Sequence, residues 1–404
     1  MSCDKLKLLF IADGRSPIAL NWMQYFVSGN FEVHLVSTYP CNPGLKFASL
    51  NVIPVAFGEL AGDEVHGRMD KRRIRNRMRG LVPVRGRSFL RHWLGSLSLP
   101  GSAKRLDALI NLIRPDLVHA MRIPFEGMLA SRIEANVPLL ISVWGNDFTL
   151  HAASNPWMAS NTRLALKRAD ALHTDCQRDV RLAGQWGFAL DKGFIVLPTN
   201  GGVKAAIFFE APGRWDSYQD SVNLSPVIIN PRGIRAYLRN DTFFKAIPAV
   251  LARYPKARFL CPSMQGEPQA EHWVDEYDLR TAVELLPNQS QSTMGDLFRK
   301  ALVAVSPSTH DGTPNTLLEA MACGCFPIAG DLESIREWIT HGENGYLVDP
   351  GDPQSLADAI LSALEAPDLM IKAAKINTRL ITERAEYKRV MEQIERFYRE
   401  LISY

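Results

Sequence analysis

This chain of 404 residues lacks the features that mark membrane-spanning, secreted and disulfide-rich proteins. No apolar run reaches the roughly 18 residues that a membrane-spanning helix needs. Its six cysteines are scattered and form neither a disulfide framework nor the paired spacing of a zinc site. The first residues also lack the pattern of a secretory signal. We therefore expect a cytoplasmic protein in a reducing compartment.

Several nucleotide and metal motifs are missing as well. The sequence has no Gly-x-Gly-x-x-Gly and no Walker loop, which argues against the usual dinucleotide and ATP sites. It has no Asp-x-Asp, no His-Glu-x-x-His and no Cys/His cluster. The sequence therefore predicts a site that uses neither a metal ion nor another cofactor.

Positive charge is concentrated in one part of a chain whose net charge is only +3. Residues 68–91 contain ten basic side chains and one acid. Such clusters attract anionic surfaces, and a solvated flexible loop is an equally good interpretation. No nucleic-acid partner is expected, because no nucleic-acid fold motif accompanies the cluster. Aromatic neighbours such as Trp93 favour contact with an acceptor or with the inner face of an anionic membrane. The residues assigned to this contact are Arg72, Arg73, Arg75 and Arg77.

Predicted strands alternate with helices in both halves of the chain, the pattern of parallel sheets. A polar stretch separates the two halves, and the composition, 46% hydrophobic and 22% charged, is that of a soluble two-domain protein. The expected fold class is α/β, with two doubly wound, Rossmann-like parallel-sheet domains. The predicted strands are 6–12, 32–37, 50–55, 117–119, 138–143, 171–174 and 194–197, followed by 227–230, 257–260, 282–285, 302–305, 326–329 and 345–348.

The segment 306–328 carries the strongest functional signal. A short strand runs into a polar loop, and a helix is predicted to start at Pro314 with Thr313 as its N-cap. The first backbone N–H groups of such a helix are free, and the positive end of the helix dipole lies behind them. This arrangement binds anions, phosphate above all. The N–H groups expected to do so belong to Asn315, Thr316 and Leu317.

Two carboxylates, Asp311 and Glu319, frame this predicted anion site. A carboxylate accepts hydrogen bonds from both hydroxyls of a cis-diol, which is the group that a nucleotide ribose offers. The alternative is a capped surface helix whose glutamate is merely solvated. The turn residues Gly312, Pro314 and Gly324 favour a nucleotide-linked ligand.

The same segment resembles the C-terminal signature of the group-1 (family 4) retaining glycosyltransferases, which have the GT-B fold. In that signature two glutamates flank seven residues and precede an Ala-Met-Ala-x-Gly-x-Pro run. Here Asp311 and Glu319 lead into residues 320–327, and residues 337–352 match the family's continuation. The resemblance implies that Glu319 holds the nucleotide ribose. It also implies that Asp311, one methylene shorter than the usual glutamate, lies near the transferred sugar.

Further contacts with the sugar donor follow from the resemblance. In the family an Arg after the first strand of the second domain, with a Lys five residues on, grips the diphosphate. Arg232 stands at the first position, Tyr237 replaces the Lys, and Arg239 is a second candidate. A guanidinium suits bidentate phosphate binding. In the first domain Gly14 follows the first strand, where a glycine lets the backbone approach a ligand.

Candidates on the acceptor side lie in the first domain. The loop 144–147 resembles the family's loop beside the sugar. Asp147 is therefore expected to orient or deprotonate an acceptor hydroxyl, unless it caps its own loop. His119, at the end of a strand, is a second catalytic candidate, although most isolated histidines are structural. Residues 198–203 resemble the family's Pro-Asn-Gly-Val turn at the end of the first domain.

The resemblance implies two domains that face each other across a cleft, with a last helix that returns to the first domain. The expected domains are 1–207 with 383–404, a linker at 208–226, and a nucleotide-sugar-binding domain at 227–382. The expected activity is that of a retaining hexosyltransferase. It would move a sugar from a UDP-sugar, or secondly from GDP-mannose, to a hydroxyl of a glycan or lipid-linked acceptor in cell-surface polysaccharide or glycolipid synthesis. The helix N-terminus and arginines would neutralise the diphosphate leaving group without a metal.

Three alternatives stay open at this point. A nucleotide-sugar epimerase of the same fold would interconvert sugars without transferring them. A non-catalytic member of the family would bind a nucleotide-sugar or a partner without turnover, and the departures at Asp311 and Tyr237 favour this alternative. A membrane-surface protein would bind liposomes through its basic segment and would bind no nucleotide.

Overall fold

The structure is a computed structural model that describes residues 5–55, 98–216 and 225–403. The contacts divide the chain into two compact units. The first unit runs to Gly201 and resumes at Met391, and the second extends from Gly202 to Val390. Among the helices of the described ranges, none combines the length and the apolar character that would let it cross a membrane.

The first unit is built on a seven-stranded parallel sheet with the order β3-β2-β1-β4-β5-β6-β7. Its strands are β1 (Leu6–Ala12), β2 (Phe31–Ser37), β3 (Ser49–Val52), β4 (Leu117–Ala120), β5 (Leu139–Val143), β6 (Ala171–Thr174) and β7 (Gly193–Val196). Its helices are α1 (Pro17–Ser28), α2 (Leu99–Ile113), α3 (Met128–Ala130), α4 (Pro156–Arg168) and α5 (Gln177–Gln185), with short irregular turns at Ile123–Gly127 and Asp147–Ala152.

The second unit is built on a six-stranded parallel sheet with the order β10-β9-β8-β11-β12-β13. Its strands are β8 (Val227–Ile229), β9 (Arg258–Cys261), β10 (Val283–Leu285), β11 (Val303–Ser306), β12 (Phe326–Gly330) and β13 (Tyr346–Val348). Its helices are α6 (Asn240–Arg253), α7 (Pro268–Glu276), α8 (Gln291–Lys300), α9 (Asn315–Ala322), α10 (Pro353–Leu364) and α11 (Pro367–Arg384). The last helix, α12 (Tyr387–Ser403), begins in this unit and continues with residues of the first.

The central strands of both sheets are buried along their whole length, as expected when helices cover both faces of a parallel sheet. In each sheet the strand order reverses once, between β1 and β4 in the first unit and between β8 and β11 in the second. Ligands of doubly wound proteins bind beyond the carboxyl ends of the strands at such a reversal. A ligand site is therefore expected at one or both of these edges.

The predicted fold class is confirmed, since both units are parallel α/β sheets and every predicted strand is present to within a few residues. The boundary between the units lies at Gly202 instead of residue 208. Two backbone hydrogen bonds tie Val203 to the second unit. The Val203 N–H donates to the Ala385 carbonyl at 2.7 Å, and the Tyr387 N–H donates to the Val203 carbonyl at 2.9 Å. Phe208, the first residue of the predicted linker, packs in the core of the second unit.

A chain of hydrogen bonds runs through the core of the first unit. His173 Nε2 lies 2.9 Å from the Leu197 carbonyl oxygen, which can only accept, so Nε2 carries a hydrogen, and in the neutral ring Nδ1 accepts. The Ser142 hydroxyl then donates to His173 Nδ1 at 2.8 Å and accepts from His119 Nε2 at 2.7 Å. With both imidazoles neutral, each hydrogen thus lies between one donor and one acceptor.

Tyr398 of α12 closes this chain. Its hydroxyl donates to His119 Nδ1 at 2.5 Å and accepts from Trp22 Nε1 at 3.0 Å. Burial lowers the pKa of His119 well below its usual value and that of His173 from 6.5 to about 4. Both rings stay neutral in the folded chain and take up protons in the unfolded chain. Their contribution to stability is therefore complete above pH 6.5 and is lost as the pH falls towards 4.

Replacing Tyr398 with phenylalanine is expected to lower the free energy of unfolding by about 3 kcal/mol, because Trp22 Nε1 and His119 Nδ1 both lose a buried partner. Tyr25→Phe is the matched control, since the Tyr25 hydroxyl donates to Glu395 of the same helix at a half-buried position. It should cost less than about 1 kcal/mol. Urea unfolding at pH 7.5 measures both, and equal losses would contradict the hydrogen-bond chain.

Candidate functional site

An arginine and a carboxylate meet where the strand order of the second sheet reverses. Arg232 follows β8, and Asp311 follows the neighbouring β11. The Arg232 guanidinium forms an ion pair with the Asp311 carboxylate and donates to the Ser308 hydroxyl at 3.2 Å. The Ser334 hydroxyl donates to the Asp311 carbonyl at 2.7 Å and so fixes the loop. The structure thus joins two residues that the sequence assigned separately, to the diphosphate and to the sugar.

The N-terminus of α9 lies beside this pair in the chain but is built differently from the prediction. Pro314 is the N-cap, with the non-helical angles φ −70° and ψ 115°, and no side chain caps the helix. Thr313, the predicted N-cap, instead accepts a hydrogen bond from Trp338 Nε1 at 3.0 Å. The helix consequently starts one residue later than predicted.

This shift changes which backbone N–H groups are free. The Leu317 N–H already donates to the Pro314 carbonyl at 3.0 Å, so it is not available to a ligand as predicted. For the N–H groups of Asn315 and Thr316, no acceptor is found among the residues that the structure describes. Two donors therefore remain at the positive end of the α9 dipole.

Asn315 and Glu319 stand four residues apart on α9 and share one face of the helix. Asn315 Oδ1 is buried without a hydrogen-bond partner. Glu319 is 8% exposed, and within the described ranges no hydrogen bond or ion pair reaches its carboxyl group. Burial raises the pKa of Glu319 from 4.5 to about 8, although Lys204 acts in the opposite direction. A buried acceptor pair of this kind is costly unless something binds to it.

Lys204 is a residue that the sequence reasoning missed. It directly follows the turn 198–203, and a basic residue immediately after that turn was the available signal. Its ammonium lies over the Tyr387 ring, 5.1 Å from the centroid, and interacts electrostatically with Glu319. Burial lowers the pKa of Lys204, and Glu319 partly restores it.

The other proposed donor contacts have partners of their own. Arg239 Nε and Nη2 each donate to Asp241 at 2.9 Å, and this bond raises the pKa of Arg239. Tyr237 stands at the position of the family's lysine, and its backbone carbonyl accepts from the Thr309 N–H at 2.8 Å. This hydrogen bond joins the loop after β8 to the loop after β11. A role of Arg239 at the diphosphate stays a prediction.

Gly14 follows β1 in the first unit. Its N–H donates to the Ser37 hydroxyl at 3.0 Å. A Cβ at this position would overlap Cys41 Sγ. A side chain at this position would therefore need Cys41 and Ser37 to move, whether or not a ligand approaches the glycine.

Asp147 follows β5, and its side chain is completely buried. The carboxylate accepts hydrogen bonds from Arg122 Nη2 at 2.5 Å, from the Trp144 N–H at 3.1 Å and from the Ile123 N–H at 3.2 Å. It therefore holds the loop 144–147 against the turn that follows β4. The capping role considered from the sequence is present in the structure, and a catalytic role stays a prediction, as it does for His119.

One group in the described chain brings three candidate metal ligands within 4.8 Å of one another, namely Asp175, Cys176 and Asp179. Arg178 Nη2 pairs with Asp179 at 2.8 Å and already supplies a positive charge there. Burial raises the pKa of the Cys176 thiol, which therefore stays protonated. The donor set fits a metal ion poorly, and the group is better described as an internal ion pair at the end of β6.

The basic residues assigned to acceptor or membrane contact lie outside the described residues. They are Arg72, Arg73, Arg75 and Arg77.

Comparison with known sequences gives two family matches. The model described as "Glycosyl transferases group 1" matches residues 232–366, and the model described as "Glycosyl transferase 4-like" matches residues 84–176. The D-inositol 3-phosphate glycosyltransferase of Thermobispora bispora is 29% identical over 138 residues, 32% of each chain. The phosphatidyl-myo-inositol mannosyltransferase of Mycolicibacterium smegmatis is 29% identical over 127 residues, 31% of this chain and 32% of its own. The matches thus span about a third of the length of these curated relatives.

Solved structures resemble nearly the whole chain. HepE of Anabaena in complex with UDP superposes with a TM-score of 0.71 at 15% identity, covering 98% of this chain and 100% of that one. Sucrose-phosphate synthase from Thermosynechococcus elongatus gives a TM-score of 0.72 at 17% identity, covering 99% and 100%. At these identities the likeness shows the fold, the two doubly wound α/β units of the GT-B class.

Proposed function

The chain belongs to the group 1 glycosyltransferases, and on this premise we propose that it transfers a sugar from a nucleoside diphosphate donor to an acceptor hydroxyl. The proposed donor is a UDP-sugar, with GDP-mannose as the second choice. Solved relatives of the same fold in complex with UDP and with UDP-glucose support the first choice. The proposed acceptor is a glycan or a lipid-linked glycan in cell-surface polysaccharide or glycolipid synthesis. Transfer would retain the anomeric configuration.

The observation that carries this proposal is the carboxyl edge of the second sheet. The strand order reverses there, between β8 and β11. Arg232 follows β8, and the helix α9 follows β11. This helix supplies the free N–H groups of Asn315 and Thr316 and the carboxyl group of Glu319. Cationic and N–H donors suit a diphosphate, and a carboxylate suits the ribose diol. One nucleoside diphosphate offers both kinds of partner.

In the proposed reaction these groups stabilise the leaving diphosphate. Charge builds up on the diphosphate as the sugar departs, and donors already in place stabilise it without reorganising. Arg232 would exchange its ion pair with Asp311 for the diphosphate, which frees the Asp311 carboxylate for hydroxyls of the sugar. No metal ion is needed in this scheme.

On the acceptor side we propose a positioning role for Asp147. Its carboxylate accepts three hydrogen bonds that fix the loop 144–147. His119 commits both ring nitrogens to Tyr398 and Ser142 inside the first unit. A direct part in proton transfer would require that chain to open.

The test is a panel of UDP, GDP, ADP, dTDP and CMP in thermal-shift measurements, with and without EDTA. A ligand at 100 times its dissociation constant stabilises by about 2.7 kcal/mol, so one base should raise the melting temperature by several degrees. We expect UDP to do so regardless of EDTA. The corresponding UDP-sugars are then incubated with lipid-linked acceptors, and NMR of the product reads the anomeric configuration.

The outcomes of this panel separate the alternatives. Absence of a shift with every nucleotide would overturn the proposed donor site. UDP binding without transfer to any acceptor would favour the non-catalytic member of the family, in line with Tyr237 and Asp311 at positions where the family has Lys and Glu. Interconversion of the sugar without transfer would indicate an epimerase.

A further inference from the structure

The loop 144–147 follows β5 in the first unit, and hydrogen bonds to its carbonyl groups fix its course. The Trp144 carbonyl accepts from the Asp147 N–H at 2.7 Å, which closes a turn inside the loop. The next carbonyl, that of Gly145, accepts from a side chain of another element, because Arg178 Nη2 donates to it at 2.7 Å. Arg178 belongs to α5, the helix that follows β6. It therefore ties α5 to the loop.

The guanidinium that makes this contact is a buried charge. Arg178 is 8% exposed, and its partner Asp179 is 1% exposed. Arg178 Nε donates to Asp179 Oδ1 at 2.9 Å, and Nη2 lies 2.8 Å from the same oxygen. This ion pair balances the charge within α5 and adds little net stability, because both groups lose their hydration. Buried ionic groups fix the position of their neighbours in some proteins, and here the neighbour is the Gly145 carbonyl.

The loop is held from two sides. The strands β5 and β6 are parallel neighbours with Val143 opposite Thr174, so the loop and the start of α5 emerge at the same carboxyl edge. Arg178 bridges them there. Towards β4, the Asp147 carboxylate accepts from the Ile123 N–H at 3.2 Å, in the turn that follows this strand. Arg178 thus supplies the anchor on the β6 side.

We propose that Arg178 is a positioning residue of the acceptor side, which holds the loop 144–147 in place through the Gly145 carbonyl. The inference rests on the proposed function, which puts this loop beside the acceptor, and deepens it. The loop presents the partly exposed side chains of Trp144 and Asn146. Arg178 is buried beneath and acts on the acceptor only through the loop. Its loss therefore weakens the use of an acceptor and leaves the binding of a nucleotide in the second unit unchanged.

The first measurement needs no ligand. Hydrogen exchange of the full chain, followed by mass spectrometry on peptides that cover residues 144–147, is compared for wild type, Arg178→Gln and Arg178→Lys. The Trp144 and Asp147 N–H groups are hydrogen-bonded to acceptors of the loop itself, so they exchange slowly while the loop keeps its place. Arg178→Gln should speed this exchange about tenfold, the equivalent of one hydrogen bond of a charged group. Arg178→Lys should speed it less, because an ammonium still donates to a carbonyl.

Arg132→Gln is the matched control in the same unit. Arg132 is half-buried, and its Nη2 donates to the Asn161 side-chain oxygen on α4 instead of to the loop. The variant should lose stability towards urea without faster exchange at residues 144–147. Wild-type exchange in Arg178→Gln, or an equal increase in Arg132→Gln, would overturn the proposal.

The second measurement separates the acceptor from the donor. Transfer from UDP-glucose to n-octyl β-D-glucopyranoside, a synthetic lipid-linked sugar, is followed for the same variants, and the affinity for UDP is measured beside it. Arg178→Gln should raise the KM for the octyl glucoside about tenfold and leave the affinity for UDP and the KM for UDP-glucose unchanged. Arg178→Lys should restore most of the acceptor KM.

Two kinetic results would contradict the positioning role. They are an unchanged KM for the octyl glucoside in Arg178→Gln, and a loss of UDP affinity as large as the change in that KM. Absence of UDP binding or of turnover in the wild type would instead defeat the proposed function. The exchange measurement would then still decide whether Arg178 holds the loop.

Discussion

Glu319→Gln is expected to raise the melting temperature at pH 8 while it weakens the binding of a nucleotide. The carboxyl group is 8% exposed, and burial raises its pKa from 4.5 to about 8. Between these values the unfolded chain releases its proton and the folded chain keeps it. Stability therefore falls as the pH rises through this window. Glutamine is of similar size and has no proton to lose, so the variant escapes the fall.

The expected gain is on the order of 3 kcal/mol at pH 8, because each pH unit of the window corresponds to about 1.4 kcal/mol and solvent still reaches part of the side chain. Scanning calorimetry at pH 4.5 and pH 8 measures it, and the two proteins should melt together at pH 4.5. Binding of UDP should weaken about tenfold or more, because the amide replaces one acceptor oxygen by a donor.

The matched control is Glu383→Gln on α11, an exposed glutamate without a partner in the described chain. It should change neither the melting temperature nor the affinity for UDP. A Glu319→Gln variant that is less stable than wild type at pH 8 would mean that the carboxylate is satisfied in the fold. A retained affinity for UDP would sink the assignment of Glu319 to the ribose.

Local patterns were sufficient to predict the two sheets. Strands such as β5 and β12 are short apolar runs bounded by turn residues, and in a parallel sheet such runs are buried on both faces. The same reasoning placed Arg232 and Asp311 after their strands, although it could not show that they pair. A contact between residues so far apart in the sequence depends on the strand order, which local patterns do not reveal.

The details of the site depend on contacts of this long-range kind. Threonine is a common N-cap residue, but the Thr313 hydroxyl accepts a hydrogen bond from Trp338, and α9 starts one residue later than predicted. Phe208 looked like linker because prolines and glycines follow it, yet it is buried in the second core. The interaction of Lys204 with Glu319 joins a turn to a helix more than a hundred positions away. Tertiary packing decided each case, and no local pattern carries that information.

Gly202→Ala is expected to be among the most destabilising single-methyl changes in the second unit. Gly202 has a φ of +96°, a conformation that costs an alanine about 1–2 kcal/mol. The added Cβ would also overlap the Ala385 carbonyl oxygen and approach Val390 Cγ2 to 3.2 Å. A carbonyl oxygen of the backbone cannot rotate away as the end of a long side chain does. We expect a total loss of about 4 kcal/mol.

Gly342→Ala separates the two causes of this loss. Gly342 has a φ of +77°, and an added Cβ would meet nothing within 4 Å, so the variant pays only the conformational cost. Urea unfolding should show a loss of about 1 kcal/mol for Gly342→Ala against about 4 kcal/mol for Gly202→Ala. Equal losses would mean that the chain at Gly202 moves away from Ala385 at little cost. The bridge between Val203 and Glu386, the next residues along each segment, would then also be loosely held.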